Sequence, residues 1–404
     1  VTNLSQFGKL TWDQIVDASS KILTFIDVAG HEKYFKTVIH GLCSHHPDYA
    51  IITVCPVQGL THKTREHFEL AFALKVPVAI VITKTDKVKE DELANTIEEV
   101  QGLVKQYRIP LRVQNTNDVV ELTRNLRERI ALIFEVSTRT GHGMELFKSF
   151  LRLIPTHNKW EENFNDPALF HIDTVFEVEN VGTVFAGLVV KGNIRVKQSL
   201  LLGPDDEGHF RVLEVKEIQC KKVSVRSVYA GQICTLALDL GPNPQEWLKS
   251  VGGGVRRGMV LVDPRVNPRA VWKFEVLLTF LEKDQIPKNL TTNYQPIVNT
   301  QTVRQCTKIL TEHEETVDHC PTNTLNSSEV INEKKLSIDQ SPDTTLNDQK
   351  LIEIKSDHLT LRLKFKYHPE FIEKGQRLLI TDQNFKAVGE ITRVFYDAGL
   401  QYVQ

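Results

Sequence analysis

The stretch VPVAIVITKTD, residues 76–86, decides the fold. Its first part is a continuous apolar run rich in β-branched residues, which predicts a buried strand over Val76–Thr83. The run ends at Thr83-Lys84-Thr85-Asp86, where a polar turn begins. A strand that is apolar throughout is covered on both faces, and α/β sheets bind ligands at the carboxyl ends of their strands. The stretch therefore predicts an α/β sheet with a binding site at this edge.

The same alternation continues on both sides of this stretch. Further buried strands are predicted at Ile22–Ile26, Tyr49–Cys55 and Ile130–Val136, with helices at Thr64–Leu74, Glu90–Tyr107 and Met144–Leu153. Strands that alternate with helices indicate a parallel sheet covered on both faces. We therefore expect an α/β domain over residues 1–156.

After residue 156 the pattern changes to short strands separated by turns, with almost no helix. We expect a linker at 157–166, an antiparallel β-barrel over 167–265 and a second antiparallel β-barrel over 268–398. Within the second barrel, residues 312–350 are rich in Glu, Asp, Ser, Thr and Asn and poor in apolar residues. Such a stretch buries too little surface to offset its ordering entropy, so we predict a disordered insertion in a hairpin loop.

The composition is that of an ordinary globular protein. Of the 404 residues, 41% are hydrophobic and 25% charged, and the net charge is -2, so no global basic field would attract DNA. The six cysteines show no CxxC spacing, which predicts reduced thiols in the cytoplasm. No apolar run reaches the roughly 20 residues of a membrane span, and no membrane partner is expected. The chain begins at Val1 rather than Met, which we interpret as a sign of a fragment.

A first motif, Asp27-Val28-Ala29-Gly30-His31, directly follows the predicted strand Ile22–Ile26. An Asp at the carboxyl end of a strand can hold Mg2+ through water. A Gly three residues later lets a backbone N–H approach a γ-phosphate closely. Taken alone, a DxxG pattern is most simply a strand-to-loop turn.

A second motif is the turn Thr83-Lys84-Thr85-Asp86 itself. The Asp86 carboxylate can accept both N–H groups on the Watson–Crick edge of guanine, a donor pair that adenine lacks. The stem of Lys84 can lie over the flat face of the base. Thr83 stands where the usual guanine-recognition motif has Asn, so one contact from a side-chain amide is lost or is replaced by a contact from a hydroxyl. The alternative interpretation is a solvated polar turn.

A third motif, Ser137-Thr138-Arg139-Thr140-Gly141, follows the predicted strand Ile130–Val136. Its small hydroxyl residues would present backbone N–H groups to the guanine carbonyl, although such a loop is common by itself. Together the three motifs each follow a predicted strand, in the order that a GTPase requires. We therefore predict an α/β GTPase domain of the P-loop type. The domain is incomplete, because the 404 residues contain no GxxxxGK[ST] to hold the phosphates.

Residues 22–155 resemble the G domain of translational GTPases, of the elongation factor Tu and elongation factor 1-alpha type. Tyr34 and the helix around Arg65-Glu66-His67 fit the pattern that follows DxxGH in these factors. The resemblance extends through the two barrels, at Gly182–Gly187, Gly375–Arg377 and Val388–Ile391. Within this class, the first two motifs most resemble the eukaryotic branch of elongation-factor-like GTP-binding proteins one and two.

The resemblance implies GTP and Mg2+ as cofactors and assigns roles at the phosphate end. Asp27 would be an outer-shell ligand of Mg2+, and Gly30 would sense the γ-phosphate. His31 would orient the attacking water. The loops after Asp27 would order around the γ-phosphate and relax on hydrolysis, moving the barrels relative to the G domain.

At the base end, the resemblance implies that Lys84 and Asp86 recognise guanine, with Thr83, Ser137 and Thr138 beside it. It also implies GTP hydrolysis to GDP as a conformational switch in translation, with the ribosome or transfer RNA as partner. Two alternatives stay open. One is a non-hydrolysing adaptor of the same fold that binds a ribosome or RNA, and the other is a GTPase subunit in small-molecule metabolism.

Two further clusters have simpler interpretations. His40, Cys43, His45 and His46 have the residue types of a zinc site, but elongation factors have an ordinary loop here, which favours a structural role. A basic strand edge at 221–226 could contact RNA phosphates, although solvated barrel residues are the more ordinary explanation.

Overall fold

The structure is a computed structural model that describes residues 11–124, 129–179, 181–241, 254–281, 289–291, 294–310, 351–353, 358–381 and 386–396. The insertion predicted at 312–350 lies outside these residues. The described chain forms an α/β layer structure followed by two β-barrels, as the sequence predicts.

A four-stranded parallel sheet forms the first part of the chain. Its strands are β1 (Ala50–Val54), β2 (Val78–Ile82), β3 (Ile109–Arg112) and β4 (Ile130–Glu135). The order across the sheet is β1-β2-β4-β3, and every pairing is parallel. All five residues of β2 are buried, since this strand lies inside the sheet. The carboxyl ends of β2 and β4 are adjacent, so the loops that follow them meet at one edge.

Helices cover both faces of the sheet. They are α1 (Trp12–Asp17), α2 (Phe35–Ser44), α3 (His62–Ala73), α4 (Glu90–Lys105), α5 (Thr116–Arg124) and α6 (Met144–Leu153). Alternate residues of β2 face opposite cores, because Ile80 and Ile82 pack with α3 and α4 whereas Ala79 and Val81 pack with α5 and α6. Within the described ranges, no helix is both long enough and apolar enough to cross a membrane.

The strand predicted at Ile22–Ile26 is wrong. Residues 18–30 form no helix or strand, and Ile22 and Phe25 are 49% and 67% exposed. β1 is an edge strand that pairs only with β2 among the described residues, so no ladder reaches the apolar segment before it. A strand needs neighbouring backbone N–H and C=O groups, and apolar β-propensity cannot replace them. The segment instead lies against α2, where Val28 Cγ1 would be 2.8 Å from a Cβ placed on Gly41.

A first barrel follows the α/β part. Its strands are β5 (Leu169–Val178), β6 (Gly182–Lys191), β7 (Asn193–Arg195), β8 (Ser199–Gly203), β9 (Arg211–Cys220), β10 (Val223–Val225), β11 (Ser227–Tyr229), β12 (Ile233–Leu238) and β13 (Val260–Val262). Strands β9-β12-β6-β5-β13-β8 lie side by side, and β8 pairs with β9, which closes the ring. Phe170, Phe185 and Leu236 are fully buried in its core.

A second barrel completes the described chain. Its strands, together with one short hairpin-like pair, are β14 (Lys273–Phe280), β15 (Asn289–Thr291), β16 (Ile297–Thr300), β17 (Val303–Ile309), β18 (Leu351–Glu353), β19 (His358–Phe365), β20 (Arg377–Thr381) and β21 (Lys386–Phe395). The closed order is β14-β19-β17-β16-β20-β21, while β15 pairs separately with β18. Phe274 and Phe365 pack in the core with ring centroids 4.9 Å apart.

Helix α2 contacts both barrels. Val38 and Ile39 pack against Leu379 of β20. At the end of the helix, Ser44 Oγ donates a hydrogen bond of 2.7 Å to the carbonyl of Gln301, in the turn between β16 and β17. A further contact joins His40 of α2 to β5 of the first barrel. The helix that follows the DxxGH motif is therefore attached to both barrels.

A buried ion pair joins the two barrels. Arg256, just before β13, donates to both carboxylate oxygens of Glu370 at 2.8 and 2.9 Å. Gln305 Nε2 donates to the same carboxylate at 2.7 Å. The Glu370 side chain is 3% exposed, so its charge depends on these protein partners rather than on water.

Candidate functional site

The loops that follow β2 and β4 meet through a hydrogen bond between two predicted site residues. Ser137 Oγ donates to Asp86 Oδ1 at 2.5 Å. Ser137 is completely buried, and Asp86 lies in an exposed turn with its side chain 12% exposed. The hydrogen bond from Ser137 is the main reason that the pKa of Asp86 is held below its usual range. Asp86 is therefore an oriented carboxylate, available as a hydrogen-bond acceptor.

The loop that carries Ser137 has a tightly fixed backbone. The Ser137 hydroxyl accepts a hydrogen bond from Thr140 N at 3.2 Å, and Ser137 N donates to the carbonyl of His142 at 3.0 Å. Gly143 has φ +66°, and a Cβ at this position would lie 1.8 Å from the carbonyl oxygen of Glu135. Only glycine fits such a close approach, so Gly143 fixes the loop onto β4.

The turn after β2 separates the roles of Thr83 and Lys84. Thr83 N donates to the carbonyl of Val54 at 2.8 Å, and its hydroxyl lies 3.4 Å from the same oxygen. Thr83 thus ties the end of β2 to the end of β1. Lys84 is exposed and has φ 57°, a left-handed conformation that turns the chain toward Asp86.

This arrangement can recognise a flat, polar group with two adjacent donors. Asp86 Oδ1 is held by Ser137, while Oδ2 lies 3.9 Å from the exposed guanidinium of Arg139. An ionised carboxylate has about four lone-pair sites, so both oxygens keep free acceptor capacity. Lys84 and Arg139 supply long side chains at the margins. Thr138 is exposed in the same loop.

The DxxGH segment lies apart from these loops. Asp27, Gly30 and His31 are all exposed, and a Cβ on Gly30 would meet nothing within 4 Å. His31 Nδ1 accepts a hydrogen bond from Lys33 N at 3.1 Å, and its ring lies edge-on to Tyr34 with centroids 6.3 Å apart. No hydrogen bond or ion pair described for the chain joins these residues to Asp86 or Ser137.

A shallow cavity of about 360 Å³ lies beside this segment and is lined by Asp27, Tyr34, Thr37 and His40 among others. Among the described residues that line it, Asp27 is the one carboxylate. Mg2+ requires near-octahedral oxygen coordination and usually keeps several waters, with substrate phosphates as further ligands. A single exposed carboxylate therefore suits an outer-shell contact, in which the other oxygens come from water and nucleotide.

The structure thus brings together part of the predicted site. Asp86, Ser137, Lys84 and Thr138 belong to one edge of the sheet, whereas the residues of the DxxGH segment do not adjoin it. Sequence reasoning missed Gly143, and the signal was available as the spacing of Gly141 and Gly143 before α6.

Known proteins resemble this chain in sequence and in fold. Residues 6–178 match the family described as "Elongation factor Tu GTP binding domain". GTP-binding protein 1 of Xenopus laevis is 35% identical over 391 residues, which are 96% of this chain and 52% of that protein. GTP-binding protein 2 of Mus musculus is 31% identical over 397 residues, which are 95% of this chain and 57% of that protein. The chain spans about half the length of these curated relatives.

Among solved structures, the apo form of translation elongation factor SelB from Methanococcus maripaludis superposes with a TM-score of 0.63. It shares 17% sequence identity, and the match covers 96% of this chain and 75% of that one. This likeness concerns the fold, including the order of an α/β domain and β-barrels.

Proposed function

Because this chain belongs to the translational GTPase family, in the branch of GTP-binding proteins 1 and 2, we propose that it binds GTP and GDP at the edge formed by β2 and β4. The contact between Asp86 and Ser137 carries the proposal. Asp86 would accept the two guanine N–H groups. Ser137 would keep the carboxylate in place before the base arrives, so little orientational freedom is lost on binding.

The other residues of this edge have supporting roles in the proposal. The stem of Lys84 covers the base from one side, and Thr138 lies beside it. Thr83 acts indirectly, because its backbone and hydroxyl are directed to Val54 and hold the turn in position. Base recognition therefore rests on Asp86 more heavily than in a motif that begins with Asn.

At the phosphate end, we propose that Asp27 binds Mg2+ through water and that Gly30 contacts the γ-phosphate. His31, held by the backbone N–H of Lys33, would orient the attacking water. Phosphoryl transfer depends on positioning and charge neutralisation, and a P-loop supplies most of both. Because residues 1–404 contain no GxxxxGK[ST], we propose that these residues alone bind GTP weakly and do not hydrolyse it at a useful rate.

The proposed biological role is a nucleotide-dependent switch in translation, in the cytoplasm, with the ribosome or transfer RNA as partner. Helix α2 supports this role, because it follows the DxxGH motif and contacts both barrels. Exposed Lys221 and Lys222 at the β9–β10 turn, with exposed Arg226 between β10 and β11, offer a basic surface for RNA phosphate. Co-sedimentation with ribosomes that depends on GTP would support this role, and nucleotide-independent binding would favour an adaptor.

The test of the base site is Asp86→Asn. Xanthine carries a carbonyl where guanine has its amino group, and the Asn amide can donate to it. Mispairing a polar edge costs roughly 2–4 kcal/mol, so the preference for GTP over xanthosine triphosphate should shift by roughly thirty- to several-hundred-fold. Saturation-transfer NMR with the two nucleotides in competition measures this ratio even when binding is weak.

The matched control is Asp91→Asn, which makes the same chemical change at an exposed position in the first turn of α4. It should leave the ratio of the two nucleotides unchanged. If Asp86→Asn also leaves the ratio unchanged while the protein remains folded, Asp86 does not face the base and the proposed site is wrong.

A further inference from the structure

Three side chains with metal-binding atoms converge where α2 meets the first barrel. They are His40 of α2, His45 directly after it, and Asp173 of β5, and one ligand atom from each lies within 4.8 Å of the others. His40 Nε2 lies 2.6 Å from Asp173 Oδ1. The rings of His40 and His45 pack edge-on with centroids 5.2 Å apart. The group joins two distant parts of the chain, since His40 and Asp173 are 133 residues apart in the sequence.

The hydrogen bonds of Ser44 determine which nitrogen of His40 carries the proton. Ser44 Oγ donates its single hydrogen to the carbonyl of Gln301 at 2.7 Å. In its other contact, 2.6 Å from His40 Nδ1, Ser44 must therefore accept, so His40 Nδ1 carries a hydrogen. His40 Nε2, which lies 2.6 Å from Asp173 Oδ1, can then face the carboxylate only across a cation. That cation is a second proton, which makes His40 an imidazolium, or a metal ion that takes the place of this proton.

His45 supplies a ring nitrogen that has no hydrogen-bond partner. Its buried Nδ1 makes no hydrogen bond with the described part of the chain, so its lone pair can bind a metal ion. Asp173 supplies a carboxylate oxygen from strand β5. The arrangement of Ser44 and His40 matches the outer hydrogen bond that orients a metal-binding histidine.

We propose that His40, His45 and Asp173 bind one divalent transition-metal ion, with Zn2+ as the best match, and that the ion fastens α2 to β5. Two imidazoles and one carboxylate are a common ligand set for Zn2+, and water completes the tetrahedron. Tetrahedral bonds of about 2.0–2.1 Å place two ligand atoms about 3.3 Å apart. His40 and Asp173 therefore need to separate by less than 1 Å.

The other two residues of the histidine and cysteine cluster seen in the sequence, His46 and Cys43, take no part in this site. His46 Nε2 is hydrogen-bonded to Gln301 Oε1. The Cys43 sulfur is not one of the three ligand atoms that lie within 4.8 Å of one another. The third ligand, Asp173, comes from another part of the chain, and the histidines alone gave no reason to expect it.

One group competes with the metal ion for the carboxylate. Arg257 Nη2 lies 3.3 Å from Asp173 Oδ1, and Arg257 Nε donates to the backbone carbonyl of Asp173 at 3.1 Å. The remaining carboxylate oxygen accepts a hydrogen bond from Thr174 Oγ1 at 3.2 Å. The Arg257 side chain is 45% exposed, so it can turn toward solvent when an ion binds. Arg257→Gln should consequently tighten metal binding.

The test uses the purified chain after removal of metals with a chelator. Isothermal titration with ZnCl2 should give one equivalent bound, and CoCl2 should give the visible absorption of a four-coordinate site. His45→Ala and Asp173→Asn should each weaken Zn2+ binding at least tenfold. His62→Ala, which removes a histidine that is 70% exposed on α3, should change nothing.

A second measurement needs no variant. X-ray absorption at the zinc edge of the wild-type complex should show two imidazole ligands together with oxygen ligands. The proposal fails if the wild type binds no stoichiometric Zn2+. It also fails if His45→Ala and Asp173→Asn bind Zn2+ as the wild type does, or if the absorption spectrum lacks two imidazoles.

Discussion

Replacing Arg256 by Leu would leave the carboxylate of Glu370 without its main partner. In the wild type, Arg256 donates two hydrogen bonds to Glu370 at 2.8 and 2.9 Å and a third to the carbonyl of Pro369 at 3.1 Å. The two side chains are 19% and 3% exposed, so water replaces little of what is lost. Removing one partner of a buried ion pair costs about 3–5 kcal/mol. We expect a loss of this size from Arg256→Leu at pH 8.

The loss of stability from Arg256→Leu should depend on pH. Burial raises the pKa of Glu370 to about 7, and Arg256 and Gln305 oppose the rise. A folded pKa above that of the unfolded chain means that the folded state binds the proton more tightly. Glu370 therefore stabilises the folded state most when the pH is below the ordinary pKa of a glutamate. As the pH rises from there to about 7, the free energy of unfolding falls by about 3 kcal/mol. Without Arg256 the pKa rises further, so the penalty of the variant should shrink at pH 5.

The assay is urea unfolding followed by tryptophan fluorescence at pH 5 and pH 8. The double variant Arg256→Leu with Glu370→Gln removes the charge altogether and should recover most of the loss at pH 8. Arg152→Leu, at an exposed position of α6, is the control and should cost under about 0.5 kcal/mol. A loss below about 1 kcal/mol at pH 8, or an equal loss at both pH values, would refute the reasoning.

Three further predictions concern the switch, the base loop and the contact between α3 and the second barrel. In a chain that carries a P-loop ahead of these residues, His31→Ala should keep GTP affinity in equilibrium binding and lower single-turnover hydrolysis on the order of a hundredfold or more. An unchanged hydrolysis rate would exclude the water-orienting role. Gly143→Ala should destabilise the chain by about 2–4 kcal/mol in thermal unfolding, because its Cβ would lie 1.8 Å from the last carbonyl of β4, whereas Gly141→Ala faces open space and should cost about 1 kcal/mol. Equal losses would contradict the argument from close approach. Burial alone would raise the pKa of Glu66, but the ammonium groups of Lys386 and Lys63 hold this pKa below its usual range. The ionised Glu66 therefore stabilises the folded state above the ordinary pKa of a glutamate, and this stabilisation is lost as the pH falls. Lys386→Met should therefore cost about 1–3 kcal/mol at pH 7 and less below pH 4 in urea unfolding, and a loss independent of pH would contradict the ionic contribution.

The sequence predicts local structure well wherever the relevant forces are local. The sequence predicts β2 and α6 because an uninterrupted apolar run and a helical apolar stripe each specify burial without reference to distant residues. Both barrels were anticipated from strand and turn spacing, and their closed orders confirm this. The wrong strand at Ile22–Ile26 shows the limit, because strand formation requires a partner edge that a single segment cannot specify.

The candidate sites show the same distinction. The turns at Asp86 and Ser137 come directly after β2 and β4, which are neighbours in the sheet. The contact between the two residues is therefore a consequence of the strand order. The direction of the Thr83 hydroxyl could not be predicted, since it depends on the position of the Val54 carbonyl on another strand. The contact between His40 and Asp173 was equally inaccessible, because it depends on how α2 is placed against β5.

The attachment of α2 restricts how the whole chain can change shape. His40 connects the helix to one barrel and Ser44 connects it to the other, and the two residues are one helical turn apart. A rotation of the helix by a single residue, about 100° around its axis, would break both contacts at once. A movement of α2 as a rigid body therefore displaces its contacts with both barrels together.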